Sequence, residues 1–177
     1  EDNLNFADVA VVGPGLGQSE DAVNMLLALF EHDKGLHMVW DADALNLLAS
    51  RSALRTHFKN YRKKHAERAM VFTPHPLEAA RLLQSTTEMV QMGRLAAAQS
   101  ISEKFACTVV MKGTGSLICK AQHIEINTTG GPALGTAGSG DVLAPVHRMA
   151  GGAQVVGHGA AQVVVVFEQQ QVHARSG

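Results

Sequence analysis

Asp141 closes the run Gly138, Ser139, Gly140 within GTAGSGDVLA, residues 135–144, and that order of residue types is suited to moving a phosphoryl group. A helix that opens in small residues presents backbone N–H groups with no bulky side chain in front of them, and such groups bind anions. A carboxylate in the same first turn stands beside any phosphate held there and within reach of a hydroxyl about to attack it. Asp141 is therefore the candidate general base, with residues 138–140 as its anion hole. The alternative at this point is a glycine-rich turn whose aspartate only complements the helix dipole.

Other phosphate and nucleophile motifs do not fit. No lysine follows a glycine anywhere in the chain, so the GxxxxGK[ST] phosphate loop is absent, and GPGLGQ at 13–18 puts Gln18 where a dinucleotide fingerprint needs its third glycine. Ala137 stands two residues before Ser139, where a GxSxG nucleophile elbow requires glycine, so acyl transfer loses its candidate.

The elements that must carry these residues alternate between strand and helix. ADVAVVG at 7–13 is a short apolar run ending in glycine, and Ser19, Glu20 and Asp21 then open a helix that stops at Lys34 and Gly35. LHMVWDADAL at 36–45 repeats the unit with Asp41 and Asp43 at the strand end, and AMVFTPHPLEAARLL at 69–83 repeats it with Pro76 in a first helical turn. Ser85 to Glu88 reads as a capping box for one helix running to about Phe105. CTVVMKG at 107–113 is the next strand, and SLICK and HIEIN, around 116–127, form a hairpin beyond it. Such a chain predicts an α/β fold with a mostly parallel sheet covered on both faces, and ligands gather at the carboxyl ends of strands in sheets of this kind.

Composition sets wide bounds. The 177 residues are 46% hydrophobic with a formal net charge of -1, which suits a single domain with no overall pull toward nucleic acid or membrane. Cys107 and Cys119 are the only cysteines, with no CxxC spacing, so a disulfide scaffold or structural zinc site is not expected and a reducing cytoplasm suits the chain best. The apolar run VVVVF at 163–167 is far too short to span a bilayer, and EDNLNFAD lacks a secretory pattern.

Several strand-end residues have two readings each. Lys112 and Gly113 follow TVVM, so the lysine could reach nucleotide phosphates or remain a solvated charge. His75 lies between two prolines in TPHPLE, which makes it either a structural turn residue or a group held rigidly at a site. Asp41 and Asp43 could be ligand groups or caps of a helix at 43–49. Arg62, Lys63 and Lys64, mixed with Glu67, are a solvated helix face and too short a run for nucleic-acid recognition.

Five blocks together resemble a known family. GPGLG (13–17), WDADALNLL (40–48), TPHPLEAARLL (73–83), VVMKGTGSLI (109–118) and GTAGSGDVLA (135–144) occur in the order and spacing of the nucleotide-dependent NAD(P)H-hydrate dehydratases, a branch of the ribokinase-like kinases. The resemblance implies a three-layer α/β/α sandwich and a repair reaction. Hydrated NADH or NADPH is phosphorylated on its ring hydroxyl by ADP or ATP with magnesium, and loss of phosphate restores the double bond. By this similarity Asp141 is the base. Lys112, Gly113, Thr114, Gly115 and Ser116, with Gly138, Ser139 and Gly140, contact the adenine nucleotide, while Gly15, Gly17, His75 and Asp141 face the hydrate. It also implies a homo-oligomer, fused to or paired with an NAD(P)H-hydrate epimerase.

The chain departs from the family pattern in places. It starts twelve residues ahead of Gly13, so residues 1–177 are expected to be one partial domain lacking the family's amino-terminal portion, with exposed sheet or helix faces that need a partner. Leu77 stands where the family has glycine and is expected to crowd the pocket near His75; Pro145 stands where it has glycine, and residues 145–177 form a divergent segment. Two rivals remain at this level: a small-alcohol kinase of the hydroxymethylpyrimidine or hydroxyethylthiazole type, and a domain that binds nucleotide without turnover.

Overall fold

A computed structural model of the chain describes residues 9–31, 35–113, 115–126, 153–156 and 164–167. Strand β1 (Val9–Val12) is followed by helix α1 (Glu20–Phe30), β2 (His37–Trp40), α2 (Ala42–Ser50) and α3 (Ser52–Lys64). Next come β3 (Met70–Phe72), α4 (Pro76–Leu83), α5 (Thr87–Met92), α6 (Arg94–Phe105), β4 (Thr108–Met111), β5 (Leu117–Lys120), β6 (His123–Ile126), β7 (Ala153–Val156) and β8 (Val164–Phe167). The strands form one sheet in the order β6-β5-β4-β3-β2-β1-β8-β7. β1 to β4 run parallel, and β5, β6, β8 and β7 join antiparallel. The expected α/β fold with a mostly parallel sheet is thus present.

Four parallel strands laid down in sequence order need right-handed crossovers that all pass over the same face. The side chains follow that rule. Ala10, Val12, Met38, Trp40, Met70, Phe72, Val109 and Met111, alternate residues of β1 to β4, join the buried residues of α1 to α6 in one contiguous core. On the opposite face Val39, Val71 and Val110 are half-buried and Val11 is buried, but none of them joins that core. Among the described residues the helices therefore cover one face of the sheet.

An aromatic cluster fills the helix-covered side. The Phe58 ring, on α3, meets those of Phe30 at 6.0 Å, Trp40 at 5.4 Å, Phe72 at 5.6 Å and Phe105 at 6.0 Å, in edge-on or tilted arrangements favoured by the ring quadrupoles. The Tyr61 hydroxyl, one turn further along α3, accepts from Leu36 N–H and donates to Leu36 C=O, pinning the helix to the start of β2. Burial raises its pKa above 10.0, the ordinary tyrosine value.

Most local signals have the expected outcome. Ser19 caps α1 by accepting from Ala22 N–H at 3.3 Å, with Glu20 and Asp21 in the first turn. The helix ends at Phe30 rather than at Lys34 and Gly35. The helix expected from Ser85 to Phe105 is in fact two. Thr86, not Ser85, caps α5, and the chain breaks at Gly93 (φ -131, ψ 50) before α6 starts. No side chain caps α6 at that joint, and local helix propensity alone does not reveal it. Arg62 is more than a solvated charge, since its guanidinium donates to the carbonyls of His65, Arg68 and Ala106. Cys107 and Cys119 are both free and buried, and burial pushes both thiols above their ordinary value. No helix among the described residues is long and apolar enough to cross a membrane.

Phe58→Ala removes the ring that touches four others and is expected to cost about 3–5 kcal/mol of stability, read as a lowered denaturant midpoint.

Candidate functional site

The exits of the four parallel strands are stitched together by the backbone. Asp41 N–H, just past β2, donates to Val12 C=O at 3.0 Å; Thr73 N–H, past β3, donates to Trp40 C=O at 3.0 Å; Lys112 N–H, past β4, donates to Pro74 C=O at 2.9 Å. The sheet ladder thus continues one step beyond each strand. It brings Gly13, Asp41, His75 and Lys112 to one rim, at the carboxyl ends where such sheets bind ligands.

The Lys112 side chain turns inward along this rim. Its Nζ lies 2.6 Å from Asp41 Oδ1 and 3.8 Å from Glu78 Oε2. Both carboxylates are buried, Asp41 2% and Glu78 3% exposed, so the ammonium compensates charges that would be costly alone. The lysine that the sequence offers to nucleotide phosphates is held between two acids. Asp41 also caps α2 by accepting from Ala42 N–H at 2.9 Å, and Ala42 takes an uncommon positive φ of 47°.

His75 is built into the same network. Its Nδ1 accepts from Leu77 N–H at 3.2 Å and Glu78 N–H at 3.3 Å, while His75 N–H donates to Glu78 Oε2 at 2.8 Å. This reciprocal capping box starts α4 with Pro76 in its first turn. An accepting Nδ1 leaves the ring proton of neutral His75 on Nε2, which faces Glu78 Oε1 at 3.2 Å. Burial by itself raises the Glu78 pKa, but hydrogen bonds from His75 and the nearby Lys112 charge outweigh it and hold the carboxyl below its ordinary 4.5. Leu77, on the same turn, is 44% exposed.

The GPGLG loop folds over the first strand exit. Gly13 has φ +121, and a Cβ there would lie 1.8 Å from Asp41 O, so only glycine fits. Leu16 N–H closes a turn on Gly13 O at 3.1 Å, and Gly17 N–H donates to Asp43 Oδ2 at 2.9 Å. Asp43 is therefore the clasp of this loop, whereas Asp41 is the cap. Among the described residues, a Cβ at Gly15 or Gly17 would meet nothing within 4 Å.

Beyond β4, Gly113 (φ +143) and Gly115 (φ +63) shape a second glycine turn, and Ser116 Oγ donates to Gly113 O at 3.3 Å. Arg94, from α6, donates to Gly115 O at 3.1 Å. A recess of about 340 Å³ lies beside this turn between α5, α6 and the β5–β6 hairpin. Thr114, Gly138, Ser139, Gly140 and Asp141 lie outside the described residues. Among the described residues no three His, Cys, Asp or Glu side chains gather to hold a metal ion.

Glu78 and Arg94 carry no site signal that a sequence reading detects. Glu78 stands three residues after His75, which is capping-box spacing, but histidine is not a usual cap residue and hides the signal. Arg94 shows no local pattern that would single it out. Asp41 is visible as a strand-end acid, yet its Lys112 partner is 71 residues away and the pairing has no local trace.

Comparison with known proteins supplies a family. The family model described as NAD(P)H-hydrate dehydratase matches residues 1–171. The ADP-dependent (S)-NAD(P)H-hydrate dehydratase of Neisseria meningitidis serogroup B is 40% identical over 159 residues, which is 89% of this chain and 49% of that protein. The chain thus spans about half the length of this curated relative. The ADP/ATP-dependent NAD(P)H-hydrate dehydratase of Bacillus subtilis, co-crystallized with ATP and Mg2+ and soaked with CoA, superimposes with a TM-score of 0.60 at 26% identity, covering 77% of this chain and 45% of that one. A ribokinase-like superfamily protein of Enterococcus faecalis V583 gives a TM-score of 0.62 at 29% identity, covering 82% and 47%. These likenesses make the fold a ribokinase-like α/β fold.

Two outcomes are expected of the rim. Lys112→Met leaves two buried carboxylates without their cation and should cost about 3–5 kcal/mol in a denaturation experiment. Because the folded Glu78 pKa is depressed, its share of stability is present above the ordinary value of 4.5 and is lost as pH falls through the lower folded value. Glu78→Gln should therefore flatten the acid limb of a stability-against-pH curve, measured below that pH.

Proposed function

The chain belongs to the NAD(P)H-hydrate dehydratase family, and from that premise we propose that it repairs hydrated NADH or NADPH at the carboxyl ends of β1 to β4. The observation that carries this reading is the family match together with the two glycine turns, 13–17 and 113–116, at the exits of parallel strands. The relatives' names support a nucleotide-driven dehydration over a small-alcohol kinase.

In this proposal the ring hydroxyl of the hydrate attacks the terminal phosphoryl group of ADP or ATP, which enters with magnesium on its phosphates as part of the substrate. Asp141 takes the hydroxyl proton as the new O–P bond forms and the bond to the departing nucleotide breaks. The N–H groups of residues 138–140 stabilise the charge on the transferring group. Phosphate then leaves with the C–O electron pair, a neighbouring ring proton is lost, and the double bond returns.

The described residues have separate tasks in this scheme. Gly113, Gly115 and Ser116, with Thr114, contact the adenine nucleotide. Gly15 and Gly17 let the hydrate approach the backbone, as the open space before them permits. His75 presents an imidazole edge that Glu78 orients. The role of Lys112 is to neutralise Asp41 and Glu78 at the rim, so that the nucleotide phosphates meet one cation and two acids already paired rather than two open carboxylates. We place the reaction in the cytoplasm, within a homo-oligomer fused to or paired with an NAD(P)H-hydrate epimerase.

The test is incubation of the chain with hydrated NADH, magnesium and either ADP or ATP, following the return of reduced-nicotinamide absorbance. Recovery that requires nucleotide and is lost in Asp141→Asn is expected, and it identifies the donor. Nucleotide binding without recovery would instead favour the domain that binds without turnover.

A further inference from the structure

We propose that Arg94 is a positioning residue for the nucleotide-binding turn, holding the backbone of Gly113 and Gly115. The inference rests on the reading above that this turn contacts the adenine nucleotide.

Arg94 is the first residue of α6, directly after the Gly93 joint. Helical side chains lean toward the amino-terminal end of their helix, so this position carries the guanidinium toward the strand exits. There it meets both glycines of the turn. It donates to Gly115 O at 3.1 Å, and its terminal nitrogen would lie 2.9 Å from a Cβ built on Gly113. Gly113 therefore lacks a side chain on the side where the guanidinium packs. Both glycines hold positive φ, +143° and +63°, which a free turn of this composition would not keep in a single conformation.

Helix energetics gives no account of an arginine here. A cation at a helix amino terminus opposes the macrodipole, and α6 has neither an acidic residue in its first turn nor a side-chain cap to offset it. The turn, by contrast, offers it favourable contacts. A planar guanidinium can bond a carbonyl and pack flat under a glycine at once, which an ammonium cannot do. By holding the Gly115 carbonyl, Arg94 keeps the adjoining Gly115 and Ser116 backbone in one arrangement before nucleotide arrives, so less ordering is left to be done on binding.

The test compares the full chain with Arg94→Met and Arg94→Lys. Titration calorimetry with magnesium-ADP and magnesium-ATP reads affinity, thermal unfolding without nucleotide reads the fold, and steady-state kinetics reads both substrates. Arg94→Met is expected to weaken nucleotide binding about tenfold or more, to raise the nucleotide KM more than it lowers kcat, and to leave the hydrate KM unchanged. Arg94→Lys, which keeps the stem and charge but loses the planar fork, should fall between the two. Unchanged nucleotide affinity in both variants, with the parent chain binding normally, would overturn the proposal. So would a loss of thermal stability with nucleotide affinity intact. A parent chain that binds no adenine nucleotide would overturn the functional reading itself, and Arg94 with it.

Discussion

One half-buried cation holds the strand exits together. Lys112 follows β4, Asp41 follows β2, and Glu78 lies on the helix after β3, so a single ammonium ties three neighbouring strand exits at the rim where ligands approach. Two carboxylates this deeply buried would be costly without a cation beside them, and the hydrogen bonds from His75 complete the compensation for Glu78. Everything placed on the rim depends on that arrangement. Asp41 sets the start of α2, its carbonyl sets the clearance above Gly13, and Glu78 sets the His75 ring.

The two glycine turns are held in different ways, each suited to its neighbours. The first is clasped by a carboxylate, Asp43 accepting from Gly17 N–H; the second is braced by a cation, Arg94 donating to Gly115 O. In both cases the holding group sits on a helix that is packed into the core. Loops of glycine gain precision only when rigid elements supply it, and here α2 and α6 do so. The aromatic cluster under the sheet is the foundation for this, since Phe58 and Phe105 lock α3 and α6 against Trp40 and Phe72.

Much of this is legible in the sequence, because periodicity and punctuation are local. Strand runs such as HMVW and TVVM, the Ser19 start and the Pro76 turn all have short-range causes. What is not legible depends on distance or on an unusual residue. The break at Gly93 interrupts a stretch that is helical on both sides. The Asp41–Lys112 pair spans β2 and β4 and has no sequence trace. His75 as a helix cap conceals Glu78, because the capping pattern is normally sought with serine or threonine. Likewise Asp41 and Asp43 look alike in DAD, yet one ends buried against a lysine and the other holds a loop.

The position of β1 has a bearing on how the molecule is assembled. Val9 pairs with His37 on one side, a partner reached through a single helix, and with Phe167 on the other, a partner more than a hundred and fifty residues along the chain. Among the described strands, β1 to β6 add to one another through short-range closures, whereas the β1–β8 pair closes over most of the chain. A contact of that sequence separation costs more chain entropy to close and forms late, so this edge of the sheet sets the pace of its completion.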